Sequence, residues 1–199
     1  MKTTKLMAGL ALVASTLLTT APVLAQDQTN TSTAQLTVEP GVRNINKVPT
    51  LDFDKVQVSG DIAVTPINNP EGIELSDYTG SLSGWTLNVQ RSAFQTADGN
   101  KLDDDQDTAT LKLTGGSFDQ SSDDVADTTK DTVTANVELG TVNTNVPVAK
   151  AGTGTGTGST TINYTGAELE LPDAIAKGKV KVGTYTSTLT WTLTDAPTN

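Results

Sequence analysis

Carboxylates dominate the chemistry-bearing side chains of this 199-residue chain: 23 Asp and Glu stand against 13 Lys and Arg, with no histidine and no cysteine. The missing histidine removes the usual general base, the usual triad partner and the commonest zinc ligand. A glycosidase needs only two carboxylates about 5–9.5 Å apart. The acidic residues here cluster in loops rich in Asp, Gly and Ser, however, with no aromatic cluster around them. No catalytic residue is assigned, and the chain is expected not to be an enzyme. The run Asp103-Asp104-Asp105-Gln106-Asp107 invites Ca²⁺, which takes about six to eight oxygens. Its spacing does not match an EF-hand loop, and no Glu follows at the required position. It is read as a solvated loop, as is the second acidic region from Asp119 to Asp131. No metal and no cofactor is expected.

Charge and the N-terminus set the compartment. Lys2 and Lys5 precede an apolar run from Leu6 to Leu18, which Thr19, Thr20 and Pro22 break. Val23-Leu24-Ala25 then offers small residues at −3 and −1 of a cleavage site. Residues 1–25 therefore read as a secretory signal peptide, since a spanning helix needs about 20 apolar residues. Without cysteine there is no residue to lipidate. Cleavage moves the formal charge from −10 to −12 (−10 − 2). So acidic a chain is not expected to bind nucleic acid or anionic lipid by bulk electrostatics. Anionic wall polymers would repel it too, so wall binding needs specific contacts. The absence of disulfides in an exported chain points to a Gram-positive type of bacterium. No second apolar span follows, so no transmembrane segment is expected after cleavage. Leu171-Pro172-Asp173-Ala174-Ile175 lacks the Thr-Gly, apolar span and basic tail of a sortase signal, so covalent anchoring is not expected.

The elements that position these groups are strands. Residues 26–33 are polar and read as disordered. Period-two alternation then predicts strands at Ala34–Val38, Trp85–Val89, Ala109–Leu113, Val133–Leu139 and Ala167–Leu171, and less cleanly around Leu51 and Phe53. Turn signals separate them at Asn69-Pro70, Thr79-Gly80, Asp98-Gly99-Asn100, Gly115-Gly116 and Gly140. Gly152 to Gly158 alternates Gly and Thr and reads as a mobile loop. Ala174–Lys177 suits at most one helical turn. The expectation is an all-β fold: an antiparallel β-sandwich or barrel-like single domain with long loops, spanning 34–199.

The clearest strand runs from Thr184 to Thr194. Tyr185, Ser187, Leu189, Trp191 and Leu193 share one face, and threonines fill the other. The same triplet occurs upstream as Trp85-Thr86-Leu87, and these are the chain's two tryptophans. Tyr185-Thr186-Ser187-Thr188-Leu189-Thr190-Trp191-Thr192-Leu193-Thr194-Asp195-Ala196-Pro197 resembles the distal motif of the WxL family at every fixed position. Gly84-Trp85-Thr86-Leu87-Asn88-Val89 resembles the proximal motif. The resemblance implies a secreted, non-covalently attached wall-surface protein of low-GC Gram-positive bacteria, with a domain credited with binding peptidoglycan. It also implies two kinds of partner: a membrane-anchored WxL-interacting protein and sortase-anchored surface proteins.

Two roles remain open for Trp85, Leu87, Tyr185, Leu189, Trp191 and Leu193: core residues, or contacts to wall or partner. A buried Trp removes roughly 150–250 Å² from water, about 4–6 kcal/mol gross at ~25 cal/mol per Å². That rivals the net stability of a domain, about 5–15 kcal/mol, so burial alone can account for both motifs. An exposed ring would instead stack on a sugar face. Peptidoglycan binding is the first functional expectation, docking on a companion surface protein the second, and adhesion to host matrix the third.

Overall fold

A computed structural model describes residues 28–58, 64–102, 107–125, 127–172, 175 and 177–196. The expected signal peptide (1–25), residues 103–106 of the first acidic run and Pro197 of the distal motif lie outside the described residues. The chain divides into two compact units, Met1–Thr37 and Val38–Asn199. In the first, residues 28–37 are exposed and form no strand.

Twelve strands are formed among the described residues of the second unit, in three antiparallel sheets of four. The first sheet orders β1 (Arg43–Lys47), β3 (Ile73–Asp77), β10 (Gly158–Asn163) and β6 (Ser117–Phe118). The second orders β2 (Ile67–Asn68), β11 (Gly166–Glu170), β5 (Thr110–Thr114) and β8 (Asn136–Leu139). The third orders β12 (Leu189–Asp195), β4 (Trp85–Arg91), β9 (Val146–Ala151) and β7 (Thr132–Val133). None of these sheets closes into a barrel. The expected all-β antiparallel class is what forms, in its sandwich-like version, because each sheet is apolar on one face and must bury it. One core draws on all three: Ile73, Leu75 and Ile162 from the first, Leu111, Leu113 and Val137 from the second, Trp85, Leu87 and Val89 from the third.

Several local expectations fail. The alternation at Ala34, Leu36 and Val38 makes no strand, and Leu36 is 85% exposed. Alternation sorts side chains between faces, but a strand also needs a ladder partner, and residues 28–42 form no ladder. Leu51 and Phe53 pack against the core as their spacing suggests, yet from a segment without strand structure. The expected strand over 132–139 is two strands in different sheets. Thr132–Val133 pairs with β9 and Asn136–Leu139 with β5. At the crossover the Thr134 N–H donates to the Val148 carbonyl, and the Ala135 carbonyl accepts from the Gly116 N–H. A switch between sheets leaves no mark on the alternation, because both strands bury the same side-chain parity.

The Gly-Thr segment is the largest correction. It is docked, not mobile: Gly152, Thr155 and Gly156 are buried, and β10 begins at Gly158. Asp131 holds it in place. Its carboxylate is buried and accepts from the Gly152 N–H at 3.0 Å, the Thr155 hydroxyl at 2.5 Å and the Asp127 N–H at 3.1 Å. The Asp119–Asp131 region is therefore an anchoring loop whose buried end is a hydrogen-bond hub, not simply a solvated stretch. Ile175 is likewise buried, in a second small cluster with Phe94, Leu102 and Ala109.

Candidate functional site

The two Trp-Thr-Leu segments become neighbouring strands. β12 lies antiparallel to β4, with Leu189 opposite Arg91, Trp191 opposite Val89, Leu193 opposite Leu87 and Asp195 opposite Trp85. β12 carries three Thr and a Trp, and β4 a Thr, a Val and a Trp, residue types that suit a pleated, half-buried surface. Antiparallel pairing puts opposed residues on the same side of the sheet. Each motif's Trp and Leu therefore share one inward face.

On that face the strands differ. β4 is internal, and its inward side chains are sealed: Trp85 is 1% exposed, and Leu87 and Val89 are fully buried. The Trp85 indole N–H donates to the Gly156 carbonyl at 2.9 Å, and its ring meets Phe118 edge-on at 6.4 Å. β12 is at the edge, so Leu189, Trp191 and Leu193 are only half-buried against the same core. Tyr185 is set apart. The expected strand over 184–194 is regular only from Leu189, with a single bridge from Thr186 to Gln95 before it. Tyr185 packs on the second cluster, and its hydroxyl donates to the Lys181 carbonyl at 2.8 Å. Five of the six motif residues are thus brought together, and Tyr185 braces a neighbouring loop.

The outward face carries different chemistry. Thr190, Thr192 and Thr194 of β12 are exposed, beside the half-buried Gln90, Asn88 and Thr86 of β4. β9 adds Pro147 opposite Asn88 and Lys150 opposite Thr86. These positions hold hydroxyls, carboxamides and one ammonium, and no carboxylate. The second sheet contrasts: there Lys112 sits among Glu138 and Glu170.

An ionic latch ties the ends of both motifs together. Arg43 of β1 donates through Nε and Nη2 to Asp77 at 3.0 and 2.7 Å, through Nη1 to Asp195 at 2.5 Å, and through Nη2 to the Gly84 carbonyl at 3.1 Å. Burial pushes the Asp77 carboxyl up, but the Thr79 hydroxyl and amide and the Arg43 guanidinium outweigh it and hold it below the usual carboxylate range. Arg43, with help from the Ser83 hydroxyl, holds Asp195 low as well. Gly84 is required here. Its φ is +71°, and a Cβ would meet the Ala151 and Gly152 carbonyl oxygens.

At the other end of β4, Arg91 is a buried charge with every N–H used. Nε donates to the Leu139 carbonyl at 2.5 Å, Nη1 to the Asp107 carboxylate and Ser92 carbonyl, and Nη2 to the Ala109, Gly140 and Asp107 carbonyls. Asp107 is 1% exposed at its side chain and also accepts from the Phe94 and Ala109 amides. It is not part of a solvated loop, as its sequence neighbours suggest. These residues were missed as site-building elements, although a signal existed. Arg43 and Arg91 are the chain's two arginines, and period two places Arg91 on the same face as Trp85, Leu87 and Val89. A charge on an inward face needs a partner.

Among the described residues no group of three or more acidic side chains could hold a metal ion, and no helix is long and apolar enough to cross a membrane. The family described as WxL domain surface cell wall-binding matches residues 11–197. No curated protein and no solved structure matches the chain.

Proposed function

Because the chain belongs to the WxL-domain family of surface cell-wall-binding domains, we propose that it is exported and grips peptidoglycan non-covalently. The contact is the outward face of β4 and β12, and the tryptophans beneath hold that face flat. What carries this reading is the absence of carboxylates from the outward positions of the two motif strands. A chain whose formal charge falls from −10 to −12 on loss of Lys2 and Lys5 (−10 − 2) approaches an anionic wall with least repulsion along such a face. Its hydroxyls and carboxamides both donate and accept, as the hydroxyls and amides of glycan and stem peptide require. Trp85 is sealed in the core and has no surface to offer.

Co-sedimentation with purified, protein-free sacculi tests it. Thr190→Asp combined with Thr194→Asp puts two charges on exposed, non-opposed positions of the face; retention should fall at least about tenfold while the circular-dichroism spectrum stays native. Undiminished retention would sink the assignment of the face. On this reading the protein is a binder and not an enzyme, so incubation with purified wall should release no reducing ends.

A docking role on a companion surface protein is the second reading. It is favoured by β12, a seven-residue strand paired on one side only among the described residues, which offers a backbone edge to an incoming strand. Retention on sacculi only when a companion protein is added would favour it over direct contact.

A further inference from the structure

We propose that residues 34–38 of one copy of the chain add as a strand to the β12 edge of a second copy. This names an occupant for the edge invoked in the docking reading above, and it rests on that reading.

Strand edges that must stay free are blunted by short length, charge, proline or a bulge. Among the described residues, six strands lie at sheet edges. β2, β6 and β7 have two residues each, and β8 carries Glu138 among its four. β1 holds Arg43 and Lys47, with a register shift between Ile45 and Lys47. β12 has none of these devices. It runs for seven residues in unbroken register with β4, without proline and without charge until its last residue, Asp195. Its Leu189, Trp191 and Leu193 stay half-buried, so their open sides can be covered.

The chain also carries a strand-like segment without a sheet. Thr31 to Val38 contains no charge, no proline and no glycine, and Ala34, Leu36 and Val38 alternate with Gln35 and Thr37. Such a composition favours pairing between strands. Yet Leu36 and Val38 are 85% and 82% exposed, and residues 34–38 form no ladder in their own chain.

The segment and the edge match on both faces. With Leu36 opposite Trp191, an antiparallel pairing sets Ala34 against Leu193 and Val38 against Leu189 on the inward side. Gln35 then meets Thr192, and Thr37 meets Thr190, on the outward side. They add a carboxamide and a hydroxyl to a face that has no carboxylate. A slip of one residue would turn Gln35 and Thr37 onto the apolar side, so parity excludes it.

The chain's own geometry favours a second copy as the partner. The segment runs into Gly41 and Val42, which are bonded to Tyr78, and into Arg43, which is bonded to Asp195 at the C-terminal end of β12. Residues 39–42 span at most about 14 Å, too little to carry the segment back along the roughly 23 Å of β12. Along the length of its own β12 it would therefore lie parallel. Every strand pair in this fold is antiparallel among the described residues, and parallel pairing is the less stable per residue. On a second copy the segment is free to lie antiparallel.

Sedimentation velocity of the exported chain, with tryptophan fluorescence in parallel, tests this. The wild type should self-associate reversibly. Leu36→Asp combined with Val38→Asp should weaken that association at least tenfold while the circular-dichroism spectrum stays native. Val182→Asp, at a side chain 94% exposed elsewhere, should associate as the wild type does. The chain has no cysteine of its own, so Gln35→Cys chains mixed with Thr192→Cys chains should cross-link through a short bis-maleimide. Association of the double variant as tight as wild type would overturn the proposal, as would wild-type association without that cross-link. A monomeric wild type would overturn it too, and fluorescence then identifies the alternative. Trp85 is sealed, so an emission shift in the double variant reports Trp191 and would place the segment on its own edge; no shift would leave the edge to a companion protein. The docking reading fails separately, if an added companion does not raise retention on sacculi.

Discussion

Trp85 and Gly156 meet through a single hydrogen bond, from the indole Nε1–H to the Gly156 carbonyl at 2.9 Å. It joins the first motif to a segment of alternating glycine and threonine. The approach is close: a Cβ on Gly156 would fall 2.6 Å from Trp85 Nε1, and its φ is +73°. The tryptophan and the loop are parts of one construction, with Asp131 bracing the loop from behind.

Removing the indole N–H while keeping an apolar ring should therefore be costly. Trp85→Phe leaves the Gly156 carbonyl buried without its donor and is expected to destabilise by about 1–3 kcal/mol. Trp85→Ala adds a cavity and should cost about 3–5 kcal/mol. Urea denaturation midpoints of the two variants measure the difference. Equal midpoints for Trp85→Phe and wild type would mean the bond contributes nothing.

Trp191→Ala should behave differently. The ring is half-buried on the inward face of an edge strand, so less packing is lost, and a cost below about 3 kcal/mol is expected. The variant should remain folded and keep its retention on sacculi. A folded Trp191→Ala protein that no longer sediments with the wall would show that the ring itself makes the contact.

The Arg91–Asp107 pair sets a third expectation. Asp107→Ala leaves a guanidinium that is 0% exposed without its counter-charge, a situation that costs about 3–5 kcal/mol. Arg91→Met should be comparably severe, because the Leu139, Ala109 and Gly140 carbonyls lose their donor together. Expression followed by thermal melts would test both. A melting temperature within experimental error of wild type for either variant contradicts this account.

Acid should loosen the Arg43 latch. The folded carboxyls of Asp77 and Asp195 are held below their usual range. Their contribution is thus fully present above the unfolded value of about 3.9 and is lost as the pH falls through the lower folded values. Asp77→Asn should be less stable than wild type at neutral pH, and the gap should close in strong acid. A gap that stays constant from neutral pH to about pH 2 would separate the latch from Asp77 ionisation.

Much of the motif was legible because alternation is a local property. Trp85, Leu87, Val89, Leu189, Trp191 and Leu193 share an inward face in the structure, and parity along each strand is enough to say so. Parity fails where partners matter. It cannot tell that 34–38 finds no ladder, that 132–139 changes sheet, or that Tyr185 leaves the motif face for another cluster.

The sequence by itself determined the β class, the acidic surface and which side of each motif strand is apolar, because composition and period-two spacing decide these within a few residues. Only the tertiary structure decided that the two motifs pair with each other, that β12 is an edge while β4 is sealed, and that Asp107 and Asp131 are buried anchors. Those outcomes depend on contacts such as Arg43 with Asp195, 152 residues apart, and on how a carbonyl or a glycine fits against a ring. Such contacts come from chain closure and packing, and no local pattern encodes them.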